Sequence, residues 1–278
     1  MRKNYFVLTA LIISMLGIAG CAAKSEAAKS EAAKSEAAKS ETAKSEAEAE
    51  ETVIEESINI RMEQKKEEYK AEDGTLLLTC SETIPAVEIS GNEEAAATIN
   101  EYIKNYNETD NSPDVEILEW AEEDYKLRGK DNWYEGYVTD RSFTGERTDE
   151  AVISFLINSY SYTGGAHPNS VQAGLNFDTK TGRRLTLADI AIDENAARDK
   201  ITEYILAEVR KREAEEEGMF FEDYEENIGD ILSEDTWYLA ENGMHIIGNE
   251  YIISPHAAGI LDFVIPYEKA DFLKEEYK

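Results

Sequence analysis

The chain carries three histidines, His167, His245 and His256, and any acid–base chemistry it performs near neutral pH would begin with them. His167 stands in Gly164-Gly165-Ala166-His167-Pro168 and His256 in Ser254-Pro255-His256-Ala257-Ala258-Gly259. Glycine and proline restrict or release φ at chosen points, so both segments read as shaped loops, the setting where binding and catalytic residues concentrate. His245 sits in the alternating run MHII and reads as a structural strand residue. No two histidines have HExxH or HxxxH spacing, and Cys80 is the one cysteine besides Cys21, so zinc-site arithmetic does not close. Neither GxSxG nor SxxK occurs, and carboxylates are too numerous for any pair to stand out as a glycosidase couple. No catalytic residue, metal site or cofactor is therefore expected. The residues best placed to meet a partner are Tyr162, Gly164, Gly165, His167 and Pro168 in the first loop and Tyr251, Pro255 and His256 in the second.

Those loops must be held by strands. Ile153, Phe155 and Ile157 alternate with Ser154, Leu156 and Asn158; Val171, Ala173, Leu175 and Phe177 alternate with Ser170, Gln172, Gly174, Asn176 and Asp178. Period two predicts a strand with one face buried and one wet. The GGAHPN segment between the runs makes them a pair, and the turn from Asp178 to Gly182 leads to a third short strand ending at Leu187.

Further strands are expected over Val53–Ile60, Leu76–Ile84, Trp133–Arg141, Thr236–Ala240, Met244–Ile247, Glu250–Ser254 and Ile260–Pro266. Helices are expected from Asn92 to Tyr106, from Val115 to Leu127 and from Glu194 to Glu217. The last has Asp193 as N-cap and Ala197, Ile201, Tyr204, Ile205 and Val209 on one face. Met219–Leu232 reads as a further helix or helical loop, and Tyr267–Glu275 as a terminal amphipathic helix. The fold class is α+β, mainly antiparallel sheet with a few packed helices. The strand groups fit either two small domains or one continuous sheet.

Four blocks carry a family likeness: YSYTGGAHPN, NFDTKTGRRLTLADI, WYLAENGMHI and YIISPHAAGILDFVIPY. In this order, over roughly residues 160–275, the chain resembles the RsiV-type C-terminal domain of the PdaC/RsiV extracytoplasmic family. A weaker likeness to the PdaC-type N-terminal domain spans about 60–160. The resemblance implies an exported α+β module. In one branch it forms the ectodomain of a lysozyme-sensing anti-sigma factor, and in another it is fused to a peptidoglycan deacetylase. Here neither an anti-sigma domain nor the deacetylase domain is expected.

Arg2 and Lys3 precede an apolar run that ends in Leu16-Gly17-Ile18-Ala19-Gly20-Cys21. This is a signal peptide with the small-residue approach to cysteine of a lipobox. Cys21 is then the site of lipidation (palmitate or a related acyl chain), and the mature protein is a lipoprotein on the extracytoplasmic face of the cell membrane. Repeats of AAKSE follow, a helical or disordered spacer without an apolar stripe. The expected organisation is signal peptide 1–20, spacer 21–52, PdaC-like region 53–163 and RsiV-like region 164–278. The net charge is −31, and almost all of it lies beyond the spacer, where lysine and glutamate nearly balance. Such a surface excludes nucleic acid and favours cationic partners. The expected function is a lipid-anchored binding protein that engages lysozyme or another cationic wall-active protein. The alternatives are a peptidoglycan-binding or wall-remodelling accessory and a hydrolase with an unrecognised site. Cys21→Ser should shift the protein from the membrane pellet to the soluble exported fraction and abolish acyl labelling; a variant that still labels and pellets would contradict the anchor.

Overall fold

The computed structural model describes residues 57–110, 114–133, 135–215 and 219–278; the expected signal peptide, Cys21 and spacer lie outside them. Two sheets organise the chain. The first has the order β1 (Ile58–Lys70), β2 (Leu76–Ile89), β3 (Tyr137–Thr148), β4 (Val152–Tyr162), β5 (Asn169–Asp178). All neighbours are antiparallel except β2 and β3, which run parallel because α1 (Glu93–Asn105) and α2 (Asp114–Arg128) form the crossover between them. The second sheet is the antiparallel meander β6 (Trp237–Ala240), β7 (Gly243–Gly248), β8 (Leu261–Ile265). Between the sheets in sequence come the single turn α3 (Leu187–Ile190), the long α4 (Glu194–Glu215) and the short α5 (Tyr224–Asn227). The α+β class expected from the sequence is the one observed. Among the described residues no helix is long and apolar enough to cross a membrane.

Four layers result. On one face of β4 and β5, Ile153, Phe155, Ile157, Leu175 and Phe177 pack with Phe143 of β3 against Ile99 and Ile103 of α1. Phe155 holds edge contacts to Phe143 and Phe177, with ring centroids 6.2 and 6.3 Å apart. At the far side, α4 lays Ala197, Ile201, Ile205 and Val209 on Trp237, Leu239, Met244, Ile246, Phe263 and Ile265 of the second sheet. Asp193 Oδ1 accepts from the Ala196 amide at 2.9 Å, the cap expected for this helix.

The second face of β4 and β5 is where the structure departs from the one-wet-face reading. Ser154 and Asn176 are almost fully buried because β6 lies across them. Gly174 admits it: a Cβ there would stand 2.0 Å from the Trp237 carbonyl oxygen. Polar side chains then satisfy the incoming backbone. Asn176 accepts from the Leu239 amide at 2.8 Å and donates to the Trp237 carbonyl at 3.2 Å, while the Ser154 hydroxyl donates to the Leu239 carbonyl. A polar residue alternating with apolar ones thus marks a face that binds backbone instead of water.

Other expectations shift for identifiable reasons. β1 continues to Lys70 through IRMEQKKEEYK, a charged edge strand whose pattern carries no alternation. β3 begins at Tyr137, after a single 3-10 turn over Lys130–Asn132. The third short strand is reduced to one bridge, Phe177 to Arg184. Glu250–Ser254 is a turn closed by the Tyr251 amide on the Ser254 carbonyl at 2.9 Å, with Tyr251 at φ 66°. Tyr267–Glu275 is not a helix. 3-10 turns at Tyr267–Lys269 and Glu275–Tyr277 flank a segment whose Leu273 bridges Ala191 and whose Phe272 carbonyl accepts from the Ile192 amide. The division expected between residues 163 and 164 falls in the loop joining β4 and β5, hydrogen-bonded neighbours in one sheet.

The contact of the two sheets is testable by stability. Gly174→Val should cost about 3 kcal/mol, from steric exclusion of β6, and Asn176→Ala about 2 to 3 kcal/mol, from the two buried backbone groups it orphans. Denaturant titration checks both, and a loss under about 0.5 kcal/mol in either would contradict the packing.

Candidate functional site: two loops closed by stacked histidines

The loop after β4 turns on Gly164 at φ 75° and Gly165 at φ 153°, values that a side chain resists. It leaves His167 exposed, with Nδ1 2.7 Å from the Pro168 carbonyl oxygen. An Nδ1–H that donates there leaves Nε2 as the acceptor, and the Tyr251 hydroxyl lies 3.4 Å from it. Tyr251 comes from the second loop, between β7 and β8. There Pro255 precedes a 3-10 turn over His256–Ala258, and Gly259 ends it at φ 69°. The His167 and His256 rings stack with centroids 3.9 Å apart and 17° between planes; the Tyr251 ring lies 6.5 Å beyond, at 16° to His256. The two loops that the sequence marks separately are one surface.

Beneath the stack, His256 Nδ1 meets Glu250 Oε2 at 2.6 Å, and the Glu250 side chain is only 6 % exposed. The adjacent Asn249 side chain pairs with both backbone groups of Gln172 on β5, at 2.8 and 2.9 Å. The side chain of Asn249 thus ties the start of the loop that carries Glu250, His256 and Tyr251 to the β5 edge by two hydrogen bonds. A carboxylate that orients an imidazole is the second half of a general-base arrangement. The hydroxyl nearest the stack belongs to Tyr251, and it addresses His167, not His256. No group of three or more His, Cys, Asp or Glu side chains able to hold a metal occurs among the described residues.

Tyr162, Gly164 and Gly165 line a separate cleft of about 360 Å³ with Trp133, Tyr137 and Asp124. The Tyr162 hydroxyl donates to the Gly165 carbonyl at 3.2 Å, fixing the glycine turn. Trp133 and Tyr137 lie 5.4 Å apart, and Trp133 Nε1 donates to the Leu76 carbonyl at 2.8 Å. Burial, then the hydrogen bond to Asp124 at 2.9 Å, pushes the Tyr137 phenol up to about 12. Of the residues singled out from sequence, His167, Tyr251 and His256 converge directly, Pro168 and Pro255 shape their approach, and Tyr162, Gly164 and Gly165 serve the neighbouring cleft.

Sequence reasoning missed Glu250, hidden in a segment that reads as a strand, and it missed Trp133 and Tyr137 as cleft walls. His245, read as structural, contacts Tyr238 at 3.1 Å, Asp262 at 3.0 Å and Asn242 at 2.8 Å. It takes no part in the loop surface.

Residues 71–170 match the family described as Deacetylase PdaC, and residues 188–268 match DUF3298, a family of unknown function. No curated protein matches the sequence. Among solved structures, a DUF3298 family member from Bacteroides fragilis shares 21 % identity, with a TM-score of 0.58 over 80 % of this chain and 95 % of its own. That likeness establishes the fold. A DUF3298 family protein from Pseudomonas aeruginosa PAO1 shares 14 % identity over 80 % of this chain and 96 % of its own, with a TM-score of 0.48. The two matched segments follow one another along a single chain, and that order identifies it as a protein of PdaC-type plus DUF3298, RsiV-like, architecture.

Proposed function

We propose that the protein is a lipid-anchored binding module on the extracytoplasmic face of the cell, where its acidic C-terminal region engages a cationic wall-active protein. Lysozyme is the example that the family resemblance supplies. The observation that carries this reading is the convergence of the two loops: His167, His256 and Tyr251 form one stacked, partly exposed surface on a chain of net charge −31. Flat rings held rigidly lose little conformational entropy on contact, and the surrounding negative field favours a basic partner. The PdaC and DUF3298 matches support an extracytoplasmic, cell-wall-related setting.

A second reading draws on the cleft lined by Trp133, Tyr137 and Tyr162. Clustered aromatic faces beside Asp124 and Asn132 suit a glycan, as in a peptidoglycan-binding accessory protein. The hydrolase reading draws on the Glu250–His256 pair alone.

One set of assays separates them. Lysozyme should be retained on the immobilised protein at about 50 mM salt and released by about 500 mM. The double variant His167→Ala, His256→Ala should weaken retention at least tenfold with the fold intact by circular dichroism. No retention, or retention indifferent to salt, would sink the proposal. Sedimentation with purified peptidoglycan that is lost in Trp133→Ala would support the glycan reading instead, and turnover of wall fragments lost in His256→Gln would support the hydrolase.

A further inference from the structure

Between α1 and α2, over strands β1 and β2, lies a cleft of about 780 Å³, within the range of small-molecule sites. Its apolar walls include Ile84 and Leu118. Two amides line it and differ in state. Asn100 spends both ends of its side chain on Val87, donating to the carbonyl at 2.8 Å and accepting from the amide at 2.9 Å. Asn107 is 7 % exposed; its Oδ1 accepts from Arg141 Nη1 at 3.2 Å, and its Nδ2 is buried without a partner.

Arg141 is itself 7 % exposed, forms no ion pair among the described residues, and leaves Nε without an acceptor. The strand register sets Glu82 beside Arg141, yet Glu82 ion-pairs with Lys65 at 3.6 Å. A buried guanidinium held by a neutral amide is an unstable choice in a chain with 59 acidic residues. Aspartate at position 107 would supply the missing charge. Keeping an amide preserves a buried donor at the cost of stability, the trade expected of a ligand site.

Charges of both signs line the cleft. Among the described residues, Lys104, about one helical turn before Asn107, lines it outside any ion pair, and so do Glu108 and Glu119. Among the described residues the cleft therefore offers a cation and an unpaired buried donor at its wall, two carboxylates outside any ion pair, and an apolar stretch.

We propose that this cleft binds a small zwitterion of the short-peptide class. The peptide carboxylate accepts from Asn107 Nδ2 beside the Lys104 ammonium, its amine faces Glu108 and Glu119, and its side chains rest on Ile84 and Leu118. This site is independent of the histidine loops, so failure of lysozyme retention leaves it standing.

Titration calorimetry on the full chain with tri-alanine, its C-terminal amide and its N-acetyl form tests the assignment. The free peptide should bind, and either block should weaken binding at least tenfold. Asn107→Asp should raise Tm by a few degrees while abolishing binding, and Lys104→Gln should weaken it about tenfold with Tm unchanged. Absence of binding by all three peptides, or equal binding of the amide and the free acid, would overturn the proposal. A fall in Tm for Asn107→Asp with binding retained would do the same.

Discussion

The seating of β6 across β4 and β5 is the interaction on which the rest of the molecule depends. A sheet face built from Ser154, Gly174 and Asn176 would be wet in an isolated domain. Here the missing side chain of Gly174 lets a foreign backbone approach to contact distance, and Asn176 and Ser154 supply the donors and acceptor that backbone needs. Buried backbone groups left unpaired cost about 1 to 3 kcal/mol each, so the contact has essentially one geometry. A purely apolar interface would tolerate sliding; hydrogen bonds from one side-chain amide to both Trp237 and Leu239 of β6 do not.

That fixed geometry is transmitted outward. β7 pairs with β6, and the loop that follows β7 is tied to β5 by Asn249 on Gln172. The loop preceding β5 holds His167. Both loops are therefore referenced to the same strand, and the stacking of His167 on His256 follows from that shared reference more than from any attraction between the rings. Glu250, almost wholly buried, holds His256 from below. Tyr251 at φ 66° completes the surface in a conformation that L side chains rarely adopt, which makes this loop a place where backbone strain and ring geometry coincide.

Much of this was legible in the residues. Period two gave β4 and β5 and their buried faces; the i, i+4 spacing of Ala197, Ile201, Ile205 and Val209 gave α4 and its core side; glycine and proline marked both loops. What alternation does not encode is whether a polar face meets water or backbone, so Asn176 and Gly174 read as solvent-facing. Likewise Glu250 opens a run whose composition suits a strand and Asn249 directly precedes it, while their work is done by side chains directed at His256 and at β5. The continuation of β1 from Ile60 to Lys70 escaped because a charged edge strand is specified by its partner and carries no apolar stripe over that length. The convergence of the loops depends on an intersheet contact between residues over sixty positions apart, which no local pattern reports.

In the proposed function the acidic body and the ring surface act at different ranges: charge would raise the encounter rate with basic proteins, and the stacked rings would decide which of them stay. With three histidines in the chain, two at the surface and one beside Tyr238 in the interior, imidazole proton resonances report this directly. On titration with lysozyme, the His167 and His256 signals should move together and saturate at the same ratio, while His245 stays in place. Movement of one loop histidine without the other, or of His245 as strongly as either, would contradict a single recognition surface.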